Sequence, residues 1–360
     1  MNFRWIGLLF ALLMILTIAP QTAHAGTPTI SDIAWSYDGT LLATVGYSII
    51  VYDRFLIPLI EYDEATSGIH FSSSLSWHPT EPQFVTDRFD RGYLDFPTSE
   101  RFIIYDARLT DVFVEAYYTE EELQALGLRL NSLTWVDDDT IYVDTYFPTT
   151  YRLSAETLQI VDELATPAIT EDQRVTHIQF YDLNDHLYVA YASVPDYRSY
   201  RNGENTHPTL RVMDIISGEM TDTAFPENTV IGNLSYLGGH FAVEIRSSVA
   251  TLNYLALVDV QTNTISCRFD LNAMTGGLSD MSWRFDNRYL AYISLGGQGS
   301  NQNWVLTVVD AESCESAMTL SGDESLYQIA WHPDGTVIAA STWGGELQLI
   351  DVSMLLESGE

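Results

Sequence analysis

From about residue 30 onward, short apolar runs alternate with polar turns, and an apolar period of 3.6 residues is almost nowhere found. The clearest unit is Ile329-Ala330-Trp331-His332-Pro333-Asp334-Gly335-Thr336-Val337-Ile338-Ala339-Ala340, two hydrophobic segments around a turn that closes with Asp-Gly. Ile33-Ala34-Trp35-Ser36-Tyr37-Asp38-Gly39-Thr40-Leu41-Leu42-Ala43 echoes it near the other end. Both read as strand, tight turn, strand. Weaker copies are anchored on Trp77, Trp135, Phe180, Tyr236 and Trp283, making seven units with Trp35 and Trp331. In most units a second strand opens about seven residues after the anchor, and a third ends in Asp: Asp53, Asp106, Asp214, Asp259, Asp310 and Asp351. The Trp135 unit ends instead at Ser154. A fourth, more polar strand follows most of them, as in Asp111 to Tyr117, Glu219 to Ala224 and Thr264 to Phe269.

Four short strands recurring at this spacing predict an all-β fold, a seven-bladed β-propeller of four-stranded antiparallel blades. A single blade cannot bury both faces, so each hides them on its neighbours. The anchors, recurring at one place per blade, are expected in the inter-blade core, and the repeated Asp is expected to accept amides of the turn that follows it. Only nine residues follow Asp351, so the last blade is short of a full fourth strand. Gly26 to Ile30 are the segment expected to close it; otherwise it ends at three strands. Thr119 to Gly127 is the one helical stretch, with a Thr119/Glu122 capping box and Gly127 suited to the C-terminus.

Charge narrows the function. Acidic residues outnumber basic ones 49 to 16, for a formal charge of −33, and every basic residue is Arg. Such a surface repels phosphate backbones and anionic headgroups, so no nucleic-acid partner is expected. Without Lys there is no Schiff-base chemistry. Residues 1–25 read as an export signal: Arg4, an apolar run from Ile6 to Ile18, the breaker Pro20, and Ala23-His24-Ala25 for cleavage. The run is too short to span a bilayer. The mature chain, 26–360, is therefore expected outside the cytoplasm, whether secreted, periplasmic or held at the cell surface, without membrane insertion and as a monomer. An oxidising destination permits a Cys267–Cys314 disulfide, although two small buried thiols are the expected reading.

The Trp331 unit, with its His-Pro-Asp-Gly-Thr turn and Leu-Ile-Asp ending, resembles a WD-repeat of the β-propeller superfamily. The resemblance runs over residues 30 to 353, is strongest in units one and seven and weakest in units three to five. The Trp of the family's Trp-Asp pair is replaced throughout and its Gly-His pair is absent, so the hydrogen-bond network of that family is not carried over.

No motif for catalysis, metal or cofactor binding stands out: there is no G-x-S-x-G elbow and no short-range histidine pair. Asp137-Asp138-Asp139 and the Asp182 to Asp185 stretch lack the spacing of a calcium loop and read as polar turns. No cofactor is expected. The long connections between strands two and three are more informative. In unit two this loop is expected from about Asp87 to Arg101, with Arg88, Arg91, Tyr93 and Phe96; in unit four from about Ser193 to Pro208, with Tyr197, Arg198, Tyr200 and Arg201. Arg with Tyr on loops of a rigid scaffold suits a partner surface. The expected function is a non-catalytic binding platform for a protein or peptide. The alternatives are a hydrolase or lyase with its site at the channel mouth, and a glycan-binding lectin.

Overall fold

The structure is a computed structural model that describes residues 30–62, 70–91, 97–108, 112–119, 121–122, 130–145, 150–164, 173–183, 186–195, 208–215, 217–226, 229–237, 239–247, 253–271, 278–296, 303–322 and 326–357. Within these residues the chain forms seven antiparallel sheets, each built from strands consecutive in sequence. Sheet one holds β1 (Ile30–Trp35), β2 (Leu41–Gly46), β3 (Ile49–Asp53) and β4 (Pro58–Tyr62). In sheet two the first strand is broken into β5 (His70–Phe71) and β6 (Leu75–Trp77), followed by β7 (Gln83–Arg91), β8 (Pro97–Asp106) and β9 (Val112–Thr119). Sheet three holds β10 (Leu130–Asp137), β11 (Thr140–Thr145), β12 (Thr150–Ser154) and β13 (Ile160–Leu164). Sheet four holds β14 (Gln173–Leu183), β15 (His186–Pro195), β16 (Thr209–Asp214) and β17 (Met220–Ala224). Sheet five holds β18 (Thr229–Leu237), β19 (His240–Ser247), β20 (Tyr254–Asp259) and β21 (Thr264–Asp270). Sheet six holds β22 (Leu278–Trp283), β23 (Tyr289–Gly296), β24 (Asn303–Asp310) and β25 (Glu315–Gly322). Sheet seven has three strands, β26 (Leu326–Trp331), β27 (Val337–Thr342) and β28 (Leu347–Asp351), and then a short helix, α1 (Met354–Glu357).

The first strand of each sheet lies against the first strand of the next, and β1 lies against β26. The second strands and several third strands are largely buried on both faces, because each sheet is covered by its neighbours; Leu42, Val143, Leu255, Ile293 and Ala340 have no exposed surface. The five Trp anchors, Trp35, Trp77, Trp135, Trp283 and Trp331, are all buried. Tyr236 is half-buried, and the side chain of Phe180 is outside the described residues.

Equivalent positions of successive sheets are stitched together. The indole N–H of Trp77 donates to the carbonyl of Ala34 (2.9 Å) and that of Trp35 to Ala330 (3.2 Å). Ser76 and Ser282 hydroxyls accept the Trp135 and Trp331 amides. Six first strands shift register three to five residues ahead of the anchor, and such bulges re-aim side chains. There Asp32 accepts the Leu75 amide and Asp280 the Ile329 amide, each from the next sheet.

Local chemistry follows the sequence closely. All six Asp residues that end a third strand accept amides of the following turn: Asp53 from Phe55 and Ile57, Asp106 from Arg108, Asp214 from Ser217, Asp259 from Thr262, Asp310 from Glu312 and Ser313, Asp351 from Ser353. The Thr119/Glu122 capping box is formed; residues 123–129 lie outside the described residues. The cysteines depart from expectation: rather than two buried thiols, Cys267 and Cys314 are joined by a disulfide, their Cα atoms 5.4 Å apart, which links β21 to the turn after β24.

Gly39 sits at φ 69°, and a Cβ there would come within 2.6 Å of the His332 ring. That ring bonds the Gly39 carbonyl at 2.8 Å and stands edge-on to Trp35, tying sheet seven to sheet one. Gly39→Ala therefore combines left-handed strain of roughly 1 kcal/mol with a clash, and a lowered melting temperature in a thermal scan is the expected result.

Two expectations need correction. Ile30 pairs with Gly46 inside sheet one, so it does not complete the last sheet; residues 26–29 are outside the described residues. The hairpin of sheet two also runs further than its charged sequence suggested. Asp87 pairs with Phe102, Arg88 with Arg101, Phe89 with Glu100 and Arg91 with Pro97, leaving only 92–96 as the loop. In sheet four β15 likewise extends to Pro195.

Candidate functional site

Because the same positions meet from sheet to sheet, the described turns between second and third strands, in sheets one and seven, share one face. The segments that carry Tyr93, Tyr197 and Arg201 also join second to third strands but lie outside the described residues. Arg88 is a correction to the expected surface: it lies in β7, only 4% exposed, where the ladder turns its side chain inward. Arg91 ends β7, with its side chain outside the described residues, as are Tyr93, Phe96, Tyr197, Arg198, Tyr200 and Arg201.

On the same face the structure brings together aromatics that sequence reasoning passed over. In the tight turn between β27 and β28, Trp343 is 52% exposed and stands 4.5 Å from the Tyr327 ring. Tyr47, in the equivalent turn of sheet one, is 40% exposed and meets Phe71 edge-on, which in turn meets Phe89. The rings form two groups, Trp343 with Tyr327 on sheet seven and Tyr47 with Phe71 and Phe89 across sheets one and two. Large apolar side chains in turns too short to fold back on a core were the signal available in Gly46-Tyr47-Ser48 and Trp343-Gly344-Gly345; loop length drew attention elsewhere.

Sheets one, two and six also carry acids withdrawn from water. Asp87 is fully buried, accepts the Ser73 and Ser74 amides and the Ser73 hydroxyl, and so holds the break in the first strand of sheet two. Burial pushes its pKa up to about 6. Burial, and then the Asp87 charge, lift Glu100 to about 8 and Asp32 to about 7. Asp280, across the inner strands, is lifted to about 7 by burial and by the charge of Asp32. Three of these acids come from sheets one, two and six and feel one another. Raised carboxyl pKa values are a common mark of catalysis, but the oxygens of Asp32, Asp87 and Asp280 are engaged by backbone amides, which assigns them to inter-sheet and intra-sheet fastening.

The turn between β10 and β11 lies on the other side and is acidic. Asp137, Asp138 and Asp139 line a shallow depression with Pro79 and Arg152, and Asp138 faces the ring of His78 at 3.4 Å. Asp137 accepts the Asp139 amide, as a polar turn would; Asn184 and Asp185 are outside the described residues. Among the described residues, no group of three or more His, Cys, Asp or Glu is placed to hold a metal ion, and no helix is long and apolar enough to cross a membrane.

The family described as WD domain, G-beta repeat matches residues 16–53 and 314–351. No curated protein matches the sequence. Among solved structures, the chain is similar to the β-propeller domain of Cps50 (Swd1) from Myceliophteria thermophila, at 12% identity, over 92% of this chain and 99% of that one, with a TM-score of 0.63. The matched repeats cover units one and seven, where the His-Pro-Asp-Gly-Thr turn and its echo lie, and the shared fold extends over the weaker units between them. Two stretches of the chain thus match the WD-repeat model, and the fold as a whole is that of a β-propeller.

Proposed function

We propose that the seven sheets are the blades of one closed ring, and that the mature protein is an exported, monomeric, non-catalytic platform that binds a protein or peptide partner on the face of its strand two-to-three connections. WD-repeat propellers are commonly interaction platforms, typically without catalysis, and fold alone does not fix a partner. The observation that carries the reading is two exposed rings in second-to-third-strand turns, Trp343 against the half-buried Tyr327 and Tyr47 against Phe71, the latter continued inward by Phe89. Trp and Tyr are the side chains most often found at interface hot spots. Arg91, Tyr93 and Phe96 in one loop, and Tyr197, Arg198, Tyr200 and Arg201 in the other, would widen the same surface. Export is supported by the signal-like first 25 residues and by the disulfide, which persists in oxidising compartments.

The test is a pull-down from the secretome of the producing cells, using residues 26–360 unchanged and with Trp343→Ala and Tyr47→Ala. Loss of two hot-spot rings should weaken capture by about 30-fold or more, with melting unaltered because neither ring is buried. Undiminished capture by the double variant would end the proposal for this face.

A further inference from the structure

The fourth strands of sheets one to four share a feature that the fold does not require. Sheets one to six each have a described fourth strand, at the outer rim, and its ladder with the third strand fixes which residues are equivalent. Counted from the Asp or Ser that ends the third strand, Leu59, Phe113, Val161, Met220, Ser266 and Ala317 occupy one position. In all but sheet four the ladder shifts register there, and this residue is the extra one of a bulge. Sheets one to four place a large apolar side chain at the position, and Leu59, Phe113, Val161 and Met220 are each more than half exposed. Sheets five and six manage with Ser266 and Ala317, so neither the bulge nor the strand needs a large side chain here.

A second regularity accompanies the first. Two residues further on, where strand periodicity returns to the same side, sheets one to four carry Glu61, Glu115, Glu163 and Asp222, all exposed. Sheets five and six carry Arg268 and Thr319 instead. Among the described residues no ion pair engages Glu61 or Glu163, while Glu115 and Asp222 meet Arg101 (3.2 Å) and Arg211 (2.7 Å) of their own third strands. β4, β9, β13 and β17 contain no basic residue. An exposed apolar side chain and a carboxylate therefore recur together on four consecutive sheets, and on neither of the two that follow.

This pairing selects its occupant by charge. A second copy brings the same charge of −33 and is repelled, as are anionic headgroups. Bulges also blunt an edge strand against backbone pairing, so a visitor must grip side chains. We infer that the rim of sheets one to four is a docking surface for a basic protein, which lays apolar side chains on Leu59, Phe113, Val161 and Met220 and sets Arg or Lys against the carboxylates beside them. Complementary charge steers such a partner in and turns acidic competitors away. A partner that engages several sheets at once gains by avidity without any new kind of contact. The surface is separate from the turns that carry Trp343 and Tyr47, and stands whether or not those turns bind.

The test passes the purified protein over a resin bearing an extended peptide in which leucine and arginine alternate at every second position, with threonine between. The protein should be retained. Phe113→Ser combined with Val161→Ser removes two of the four stations and should weaken retention about tenfold or more, with melting unaltered because both side chains are exposed. Ala317→Leu combined with Thr319→Glu copies the pair onto sheet six and should strengthen retention, a gain that a merely structural role does not produce. Trp343→Ala should leave it unchanged, which separates this surface from the aromatic turns. The inference is overturned by full retention of the Phe113/Val161 variant, by no gain from the sheet-six pair, or by equal retention on a resin with glutamate in place of arginine. A dimer that Phe113→Ser dissociates would also overturn it, in favour of self-association.

Discussion

Reduction of the Cys267–Cys314 bridge is expected to lower stability by about 4 kcal/mol, the chain-entropy value for a closed loop of about 48 residues. The bridge joins the outer strand of sheet five to the left-handed turn of sheet six, two elements that share no backbone ladder. Opening it releases the periphery of two neighbouring sheets at once. Unfolding entropy grows with chain length, so for a domain of about 330 residues the loss corresponds to a fall in melting temperature of about 6 °C. Thermal scans with and without reductant, and of Cys267→Ser paired with Cys314→Ser, measure it. Coincident scans would show that the seam between these sheets is held by its apolar contacts alone.

A rise in stability as the medium is acidified from pH 8 to pH 5 is the other large effect. Asp32, Asp87, Asp280 and Glu100 have folded pKa values of about 7, 6, 7 and 8, above the ordinary 3.8 or 4.5, chiefly because burial penalises the charged form. Between pH 4 and 8 the folded state thus binds more protons than the unfolded chain, and stability falls as pH rises through that window. A tenfold gain in proton affinity on folding is worth about 1.4 kcal/mol, so four such acids amount to several kcal/mol. Below the window the sign reverses. Asp38, Asp106, Asp259, Asp310, Asp334 and Asp351 are held below 3.8 by hydrogen bonds to their turns and neighbours, and their contribution is lost as they protonate. A stability maximum near pH 5 is the expected outcome, seen as melting temperature against pH. Glu100→Gln removes one buried charge and should flatten the limb between pH 6 and pH 8; a melting temperature that climbs toward pH 8 contradicts the account.

The repeat was the legible part of this chain because a blade is written locally. Strand alternation, the Asp-Gly turns at Gly39 and Gly335 and the six terminal Asp residues depend on neighbours in sequence, and each appears where the pattern puts it. Arg88 was misjudged for a related reason. The run Asp87-Arg88-Phe89-Asp90-Arg91 looks solvated as a one-dimensional string, and only pairing with Pro97 to Phe102 turns it into a ladder. The aromatic contacts and the buried acids were not legible, because Tyr47 and Phe71, or Asp32 and Asp280, come together only when distant units are laid side by side. The left-handed turn at Leu56 carries no glycine to announce it; its likeness to Leu158, Asn263 and Cys314 emerges from backbone angles.

The imidazole of His332 on the Gly39 carbonyl and the indole of Trp35 on Ala330 have a mechanical corollary. Where β26 meets β1 the two sheets are clasped along their inner strands by two rings on main-chain carbonyls rather than by a shared ladder among the described residues. A clasp of two contacts gives way as a unit, so loosening either ring should let the two sheets part together rather than fray strand by strand.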